Sequence, residues 1–230
     1  MGCVAVVPAR KGSKRLPGKN MLPVGGRPMI YWSIRAALES RCVERVVVSS
    51  DDETVLELAT SLGAVALRRP ERLATDESAT ADVVCHALES LDRLPSHVCL
   101  LQPTSPLRGA EHVDEAWAVM VRKGAKSVIS VSLVDHPPQW SNRLPEDGSL
   151  CDFLPAHLQG VRSQDLPPYY RLNGAIYLAE SASFLAQKSF FLKPSCYAYV
   201  MEAEASVDVD NRIDWLLADL LMQEKRKKDG

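Results

Sequence analysis

The sequence predicts an α/β protein built on a doubly wound parallel sheet. Short apolar runs such as CVAVVP (3–8) have the composition of strands that are buried on both faces. Amphipathic helical patterns separate successive runs, and this β-α-β-α-β order is typical of parallel sheets with right-handed connections. The chain has 230 residues, which is enough for one domain with a sizeable core.

The first half of the chain supplies three predicted strands with helices between them. The strands are CVAVVP (3–8), RVVVSS (45–50) and AVAL (64–67). A helix over about 27–40 carries Pro28 in its first turn and apolar residues along one face. The next helix follows Asp51 or Asp52, either of which can cap it, and Gly63 closes it.

The middle of the chain continues the alternation. An amphipathic helix precedes the strand HVCLLQ (97–102) and is marked by Val84, Ala87, Leu88 and Leu91. A further helix over 110–123 precedes SVISVS (127–132). Residues 135–172 then lack periodicity and are rich in proline and polar residues. We expect this long irregular insertion to have a functional role.

The last part of the chain returns to regular structure. GAIYL (174–178) and YAYVM (197–201) are predicted as strands that rejoin the sheet. A C-terminal helix is marked by apolar residues at helical spacing, namely Ile213, Leu216, Leu217 and Leu220.

Composition limits the possible classes of function. The 27 Lys+Arg nearly balance the 29 Asp+Glu, so no overall positive charge favours nucleic-acid binding. The six cysteines lie scattered without a C-x-x-C motif, which predicts free thiols in a reducing compartment. No apolar run approaches membrane-spanning length and the N-terminus lacks a signal-peptide layout, so we expect a cytoplasmic protein with no membrane partner.

A strongly basic loop follows the first strand. Five basic residues lie within ARKGSKRLPGKN (9–20), interleaved with Gly12 and Gly18, and no acid precedes Glu39. Ligands of open α/β sheets bind outside the carboxyl ends of the strands, where this loop lies. Glycine lets backbone N–H groups approach an anion that Lys and Arg neutralise, so a polyphosphate is the expected ligand. The alternative is a solvated loop, and the spacing fits neither a P-loop nor G-x-G-x-x-G.

Two carboxylates lie near the other end of the chain, in SVDVD (206–210). If this segment is a strand, Asp208 and Asp210 share one face. Such oxygen donors suit Mg²⁺ (or Mn²⁺), with water and phosphate oxygens completing the coordination. The alternative is that Asp210 caps the following helix. The basic loop elsewhere in the chain favours the metal–nucleotide site.

Several motifs, taken in order, resemble the CMP-sialic acid synthetases, also called acylneuraminate cytidylyltransferases. They are PARKGSKRLPGKN (8–20), VVVSSDD (46–52), LRRPERLATDESAT (67–80), LLQPTSPLR (100–108), RLNGAIY (171–177) and SVDVD (206–210). The resemblance implies a single Rossmann-like, mostly parallel domain over residues 1–230, with 135–172 as a protruding arm that binds sugar and forms a homodimer. It also implies an enzyme that couples CTP to a nine-carbon 2-keto sugar acid and releases pyrophosphate.

The same resemblance implies roles for individual residues. The expected catalytic residues are Arg10 and Lys19 on the triphosphate and Asp208 and Asp210 on the metal. Further nucleotide contacts are Gly12, Ser13, Lys14, Arg15, Asn20, Arg69 and Thr80, the last a serine in many relatives. Sugar contacts are Gln102, Gln139, Trp140, Arg162, Arg171, Asn173, Tyr177, Phe190 and Phe191. The two phenylalanines are expected to act across the dimer interface, and core packing is the alternative for them and for Tyr177.

The identity of the sugar acid depends on local departures from the family pattern. Many sialic-acid enzymes have a lysine after the HP motif, whereas HPPQW (136–140) offers Gln139 and Trp140. Together with RSQDLPPYYRLNGAIY (162–177), this is similar to bacterial enzymes for legionaminic acid, whose apolar groups would suit Trp140. The alternatives are a 3-deoxy-manno-octulosonate cytidylyltransferase, whose loop resembles RLPGK (15–19), and a non-catalytic nucleotide-binding regulator.

Overall fold

A computed structural model describes the backbone of residues 2–229 and the side chains as far as Lys227. In chain order the strands are β1 (Cys3–Ala9), β2 (Pro23–Val24), β3 (Arg27–Pro28), β4 (Val43–Ser50), β5 (Val65–Arg68), β6 (His97–Leu100), β7 (Ser127–Leu133), β8 (Tyr170–Glu180) and β9 (Cys196–Met201). The helices are α1 (Met29–Glu39), α2 (Glu53–Ser61), α3 (Thr80–Glu89), α4 (Ala110–Lys123), α5 (Ser181–Gln187) and α6 (Arg212–Asp229).

Seven of these strands form one mostly parallel sheet, which confirms the predicted fold class. Its order is β5-β4-β1-β6-β8-β7-β9, while β2 and β3 form a separate two-stranded hairpin. Strand β8 is antiparallel to both of its neighbours, β6 and β7. The chain leaves β7 at the carboxyl edge of the sheet and re-enters at that same edge, so β8 must run backwards. Its first half therefore lies at the edge where parallel sheets bind ligands.

The core lies in two layers, one on each face of the sheet. Along β1, Cys3, Ala5 and Val7 pack on one layer with α1, α2 and α4, while Val4 and Val6 pack on the other with α3 and α5. Side chains alternate between faces along a strand, so a strand covered on both faces is apolar at every position. This explains the uninterrupted apolar runs of the sequence.

Helix α6 is present as predicted, but its apolar side chains are not where the pattern placed them. Ala218 and Met222 face the core and pack near Val24 of the hairpin. The four residues that marked the helix are exposed instead, with Ile213 at 77 % and the others at 45–54 %. These four residues, Ile213, Leu216, Leu217 and Leu220, are the α6 apolar face. No other part of the described chain buries this face.

The insertion between β7 and β8 is irregular, and residues 134–169 hold only short 3-10 turns, at Pro138–Trp140, Ala156–Leu158 and Ser163–Asp165. Its two ends are held together, because Leu133 pairs with Tyr170 and the N–H of Val134 donates to the carbonyl of Tyr169 at 3.0 Å. Across residues 2–229, no helix combines the length and apolar character needed to cross a bilayer.

Candidate active site

A cavity of about 310 Å³ opens at the carboxyl edge of the sheet, beyond the ends of β1 and β6. Seven of the residues predicted to bind nucleotide line this first cavity: Arg10, Gly12, Ser13, Lys19, Asn20, Arg69 and Thr80. They come from the basic loop, from the end of β5 and from the start of α3. The fold thus brings segments that are distant in sequence around one cavity. Lys14 and Arg15 are exposed on the same loop but do not line the cavity.

The basic loop is held by contacts to acids and to its own backbone. Arg10 and Lys14 both pair with Asp76, and the Lys14 contact is 2.5 Å long. Lys14 has the larger effect and Arg10 the smaller in lowering the pKa of this exposed carboxyl. The side-chain amide of Asn20 donates to the carbonyl of Arg10 at 3.0 Å. The N–H of Lys11 donates to Asp51 at 2.8 Å, which ties the loop to the end of β4. Anionic ligands would compete with Asp76 for the two cations.

Arg69 is the buried cation of the first cavity. Its side chain donates to the hydroxyl and the carbonyl of Ser49, at 3.2 and 2.7 Å, at the end of β4. Burial lowers the pKa of Arg69 to about 10, with Asp51 opposing this shift and Arg10 adding to it. The guanidinium therefore stays charged at neutral pH and contributes a fixed positive charge.

The acidic pair lies beside this cavity, on irregular backbone between the 3-10 turn Glu204–Ser206 and α6. Residues 207–210 are not a strand, so the condition under which the two carboxylates would share a strand face is not met. The capping alternative is wrong, because Asn211 caps α6 by accepting from the N–H groups of Ile213 and Asp214 at 2.8 and 3.1 Å. The carboxylate of Asp210 instead pairs with Lys19 at 3.0 Å and with Arg15 at 3.5 Å.

Asp208 is the more buried member of the pair. Burial raises the pKa of Asp208 and the charge of Asp210 adds to this, while a hydrogen bond with Thr104 and the charges of Lys19 and Arg171 oppose it. Its Oδ1 atom is buried with no hydrogen-bond partner. Buried oxygens of this kind normally have a partner, so the Asp208 Oδ1 atom fits a position that receives a cation or a water. Within residues 2–227, no group of three or more His, Cys, Asp or Glu side chains is arranged to hold a metal.

A second cavity, of about 590 Å³, lies on the other side of the acidic pair. Asp208, Asp210 and Arg171 line it, together with Leu133 and Leu217. Lys19 and Thr104 line the first cavity. Lys19 pairs with Asp210 and Thr104 contacts Asp208, and both of these acids line the second cavity. The acidic pair therefore lies between the two cavities, in contact with residues of the first and lining the second.

The basic loop and the first cavity lie within the part of the chain that matches a known family, since residues 4–141 match the cytidylyltransferases. The chain belongs to this family. It is 39% identical to the CMP-N,N'-diacetyllegionaminic acid synthase of Legionella pneumophila, over 97% of both chains. It is 38% identical to the N-acylneuraminate cytidylyltransferase of Streptococcus agalactiae, over 98% of this chain and 56% of the longer relative.

A solved structure supports the fold of this cytidylyltransferase. The structure of CMP:2-keto-3-deoxy-manno-octonic acid synthetase complexed with CTP superimposes with a TM-score of 0.73. The alignment covers 98% of this chain and 100% of the other at 18% identity. At 18% identity the similarity supports the fold and nothing further.

The predicted sugar contacts of the cytidylyltransferase are less concentrated than its nucleotide contacts. Gln102 lines the first cavity and Arg171 the second, where its guanidinium donates to the carbonyl of Ser206 at 3.3 Å. The other seven predicted sugar contacts line neither cavity: Gln139, Trp140, Arg162, Asn173, Tyr177, Phe190 and Phe191. Their proposed contacts with sugar remain predictions.

Four of these residues lie in or close to the body of the cytidylyltransferase. Asn173 is fully buried, where it donates to Ser206 Oγ at 3.0 Å and accepts from Ser130 Oγ at 2.6 Å. Phe190 is buried and its ring lies 5.6 Å from that of Tyr177, while Phe191 is half exposed. Burial raises the pKa of Tyr177, and the charge of Asp208 adds to this.

The remaining three predicted sugar contacts lie in the irregular insertion. Arg162 pairs with Asp165 at 2.9 Å on the surface. Trp140 is 36 % exposed, and the Oε1 atom of its neighbour Gln139 is buried without a partner.

Sequence reasoning missed three side chains that shape this site, namely Asp76, Thr104 and Arg108. All three occur within the family blocks 67–80 and 100–108, and the polar residues of such loops are a signal that could have found them. The cations that pair with Asp76 are distant in sequence, as is Ala175 among the acceptors of Arg108, so these contacts depend on the fold. Gly174 was missed as well. It has φ +76° and lies where a Cβ would approach the Oε1 atom of Gln102 to 2.7 Å.

Proposed function

We propose that this protein is a cytidylyltransferase that couples CTP to a nine-carbon 2-keto sugar acid of the sialic or legionaminic type. The position of Asp208 and Asp210 between the two cavities carries this proposal. The first cavity has the cations that a triphosphate needs. Of the described residues that line the second, Arg171 is the one cation among five acidic side chains, and a substrate carboxylate would pair with it. Family membership and the activities of the two relatives, a CMP-N,N'-diacetyllegionaminic acid synthase and an N-acylneuraminate cytidylyltransferase, support the donor and the acceptor class.

The proposed reaction is an in-line displacement at phosphorus. The anomeric 2-hydroxyl of the sugar acid attacks the α-phosphorus of CTP, the bond to pyrophosphate breaks, and the hydroxyl proton passes to water. The protein has little covalent work to do, so it acts by positioning and by stabilising charge. Arg10 and Lys19 neutralise the phosphates, which requires Arg10 to exchange Asp76 for the ligand.

The acidic pair is the proposed holder of a divalent cation, Mg²⁺ or Mn²⁺. The donor set fits, because Asp208 has a buried oxygen without a partner and Asp210 lies next to it in the same cavity wall. When bound, the ion would neutralise phosphate charge and lower the pKa of the attacking hydroxyl. Only two carboxylates are supplied, so phosphate and water would fill the other positions.

We infer a homodimer from the exposed apolar surface. The α6 apolar face is uncovered beside the second cavity, which Leu217 also lines. A contiguous apolar patch of this kind marks an interaction site. A second copy of the chain is the proposed cover. All six cysteines are free thiols, which supports a reducing cytoplasmic location.

The deciding experiment measures pyrophosphate release with CTP and Mg²⁺ against four acids: N-acetylneuraminic, diacetyllegionaminic, pseudaminic and 3-deoxy-manno-octulosonic. We expect turnover with a nine-carbon acid and a preference for diacetyllegionaminic acid. A preference for N-acetylneuraminic acid keeps the mechanism and rejects the role of Gln139 and Trp140 in specificity. Turnover with the eight-carbon acid alone overturns the proposed acceptor. Tight CTP binding without turnover on any acid favours the regulator.

A further inference from the structure

We propose that Arg108 is a positioning residue that seats the Gln102 side chain for the acceptor sugar. The inference rests on the proposed function, because Gln102 is a predicted sugar contact. Arg108 itself is too buried to touch a ligand, so its effect must pass through the groups that it holds.

Arg108 is an arginine without a carboxylate. Its side chain is 1 % exposed, and Nη1 donates to the carbonyls of Gln102, Ser105 and Ala175 at 3.3, 3.4 and 3.3 Å. Among the described residues, none of the ion pairs includes Arg108 and no acid contributes to its pKa shift, and its Nε and Nη2 atoms are buried without partners. Burial lowers the pKa of Arg108 to about 10, which leaves the group charged at neutral pH. Burying a charge in this way is costly, so a stabilising role alone explains it poorly.

The three carbonyls identify what Arg108 joins together. Gln102 lies just beyond the end of β6, and Ala175 lies on β8, the strand that pairs with β6. Arg108 therefore fastens the loop after β6 to the neighbouring strand. Ser33 adds a second anchor, because its hydroxyl donates to the same Gln102 carbonyl at 3.2 Å.

The fastened segment places the Gln102 amide directly above Gly174. The missing side chain at Gly174 leaves the space that Gln102 Oε1 occupies, since a Cβ there would lie 2.7 Å from it. The same Cβ position is 3.7 Å from Asp208 Oδ2, so the amide lies close to the acidic pair. An amide can both donate and accept, which suits sugar hydroxyl and acyl groups. Gln102 also lines the first cavity, but triphosphate binding there is assigned to Arg10 and Lys19, whose contacts involve neither Gln102 nor Arg108.

The test uses Arg108→Met, which keeps the bulk and removes the charge, and Arg108→Lys, which keeps the charge. We expect Arg108→Met to raise the acceptor KM about tenfold, the loss expected for one misplaced polar contact. The Kd for CTP should stay within about twofold, and Arg108→Lys should recover part of the loss. A parallel change in the Kd for CTP, or an unchanged acceptor KM, would overturn the proposal.

Destabilisation is controlled with Met120→Ala. Met120 is buried near the far end of α4, about 15 Å along the helix from its first residue. Both variants should lower the Tm, but only Arg108→Met should change the acceptor KM. The double variant Gln102→Ala with Arg108→Met should match Gln102→Ala alone, because Arg108 acts through Gln102. If the two substitutions instead raise the acceptor KM additively, Arg108 does not act through Gln102 and the proposal is rejected.

A second measurement needs no acceptor and is independent of the proposed function. The side-chain amide of Gln102 should give a dispersed pair of NMR resonances in the unaltered protein and in Met120→Ala. In Arg108→Met the chemical shifts of this amide should move to the values of a freely rotating glutamine side chain. In Arg108→Lys they should lie between those values and the values of the unaltered protein. Unchanged resonances would overturn the positioning role. An enzyme that turns over none of the four acids would reject the proposed function while leaving this readout intact.

Discussion

Asp210 is the residue at which the basic loop and the acidic segment make contact. Its carboxylate pairs with Lys19 at 3.0 Å and with Arg15 at 3.5 Å, although these residues are nearly 200 positions apart in the sequence. The helix cap that it could have formed is made by Asn211 instead. The carboxylate is therefore available to a cation and to the loop.

We predict that Asp210→Asn lowers kcat about 100-fold or more, because the charge that would hold the metal and orient Lys19 is lost. Pyrophosphate release at saturating CTP and acceptor measures the effect. Asp82→Asn is the matched control, since Asp82 pairs with Lys188 on the surface of α3. Near-normal turnover in Asp210→Asn would reject the proposed metal site.

Gly174 offers a second test at the scale of one residue. We predict that Gly174→Ala raises the acceptor KM, because the new Cβ displaces the Gln102 amide, and that it destabilises the protein by about 1 kcal/mol through its positive φ. Gly63→Ala separates the two effects, because Gly63 has φ +89° with no atom near its Cβ position. Similar Tm losses with normal kinetics in both variants would contradict the prediction.

Half of the residues that line the first cavity, eight of sixteen, were among the predicted contacts, since they lie in the loop 9–20 or in short family blocks. Asp76 was not predicted because the fold brings Arg10 and Lys14 to it. Arg108 was not predicted because the fold brings Ala175 of β8 to it. A charge pattern in sequence indicates which residues can hold an anion. It does not show which cation is paired with an acid in the unliganded protein.

At the scale of elements, the C-terminal helix secures the hairpin that follows the basic loop. The N–H of Gly25 donates to Asp219 at 2.7 Å, and the indole of Trp215 donates to the carbonyl of Pro23 at 2.8 Å. Arg226 donates to the carbonyl of Gly25. Three side chains of α6 thus satisfy the backbone of β2 and of its turn, and these contacts tie the end of the chain to the start of the site.

We predict that Asp219→Ala lowers the free energy of unfolding by about 1–3 kcal/mol, the usual loss when a backbone N–H loses a charged acceptor. Urea unfolding measures this, and hydrogen exchange at Gly25 should become faster. Glu57→Ala, a change at an exposed acid on α2, is the control and should leave both quantities unchanged. Unaltered exchange at Gly25 would show that α6 does not hold the hairpin.

Element prediction succeeded where periodicity was long and failed where it was short. The helix 110–123 was placed with its observed limits, because fourteen residues hold a full amphipathic pattern. The strands β2 and β3 have two residues each and α5 has seven, too few to show a period. The direction of β8 was also hidden, since an apolar run carries no information about its neighbours.

At the scale of the whole molecule, the α6 apolar face stays exposed in a single chain although its residues are apolar. Its pattern in sequence looks like a core-facing stripe, yet the core takes Ala218 and Met222 instead. Sequence patterning shows that a surface will be covered, but it does not distinguish cover by the same chain from cover by another. The proposed homodimer accounts for both observations.

We predict that Leu216→Glu with Leu220→Glu converts a dimer to monomers, because two charges would be buried at the interface. Light scattering coupled to size exclusion measures the mass. Val121→Glu is the control, since Val121 is 65 % exposed on α4 and lies outside the face. A monomeric unaltered protein, or a double variant that remains dimeric, would reject this face as the interface.

The paired ends of the irregular insertion allow one more conclusion. Leu133 and Tyr170 are partners on neighbouring antiparallel strands, so the segment between them begins and ends at adjacent positions of the sheet. Doubling the length of such a loop costs only about 0.6 kcal/mol of closure entropy. Residues 134–169 can therefore be exchanged as a cassette without rebuilding the sheet. Within a common scaffold, acceptor choice could evolve by replacing this segment, while the machinery for nucleotide activation stays the same.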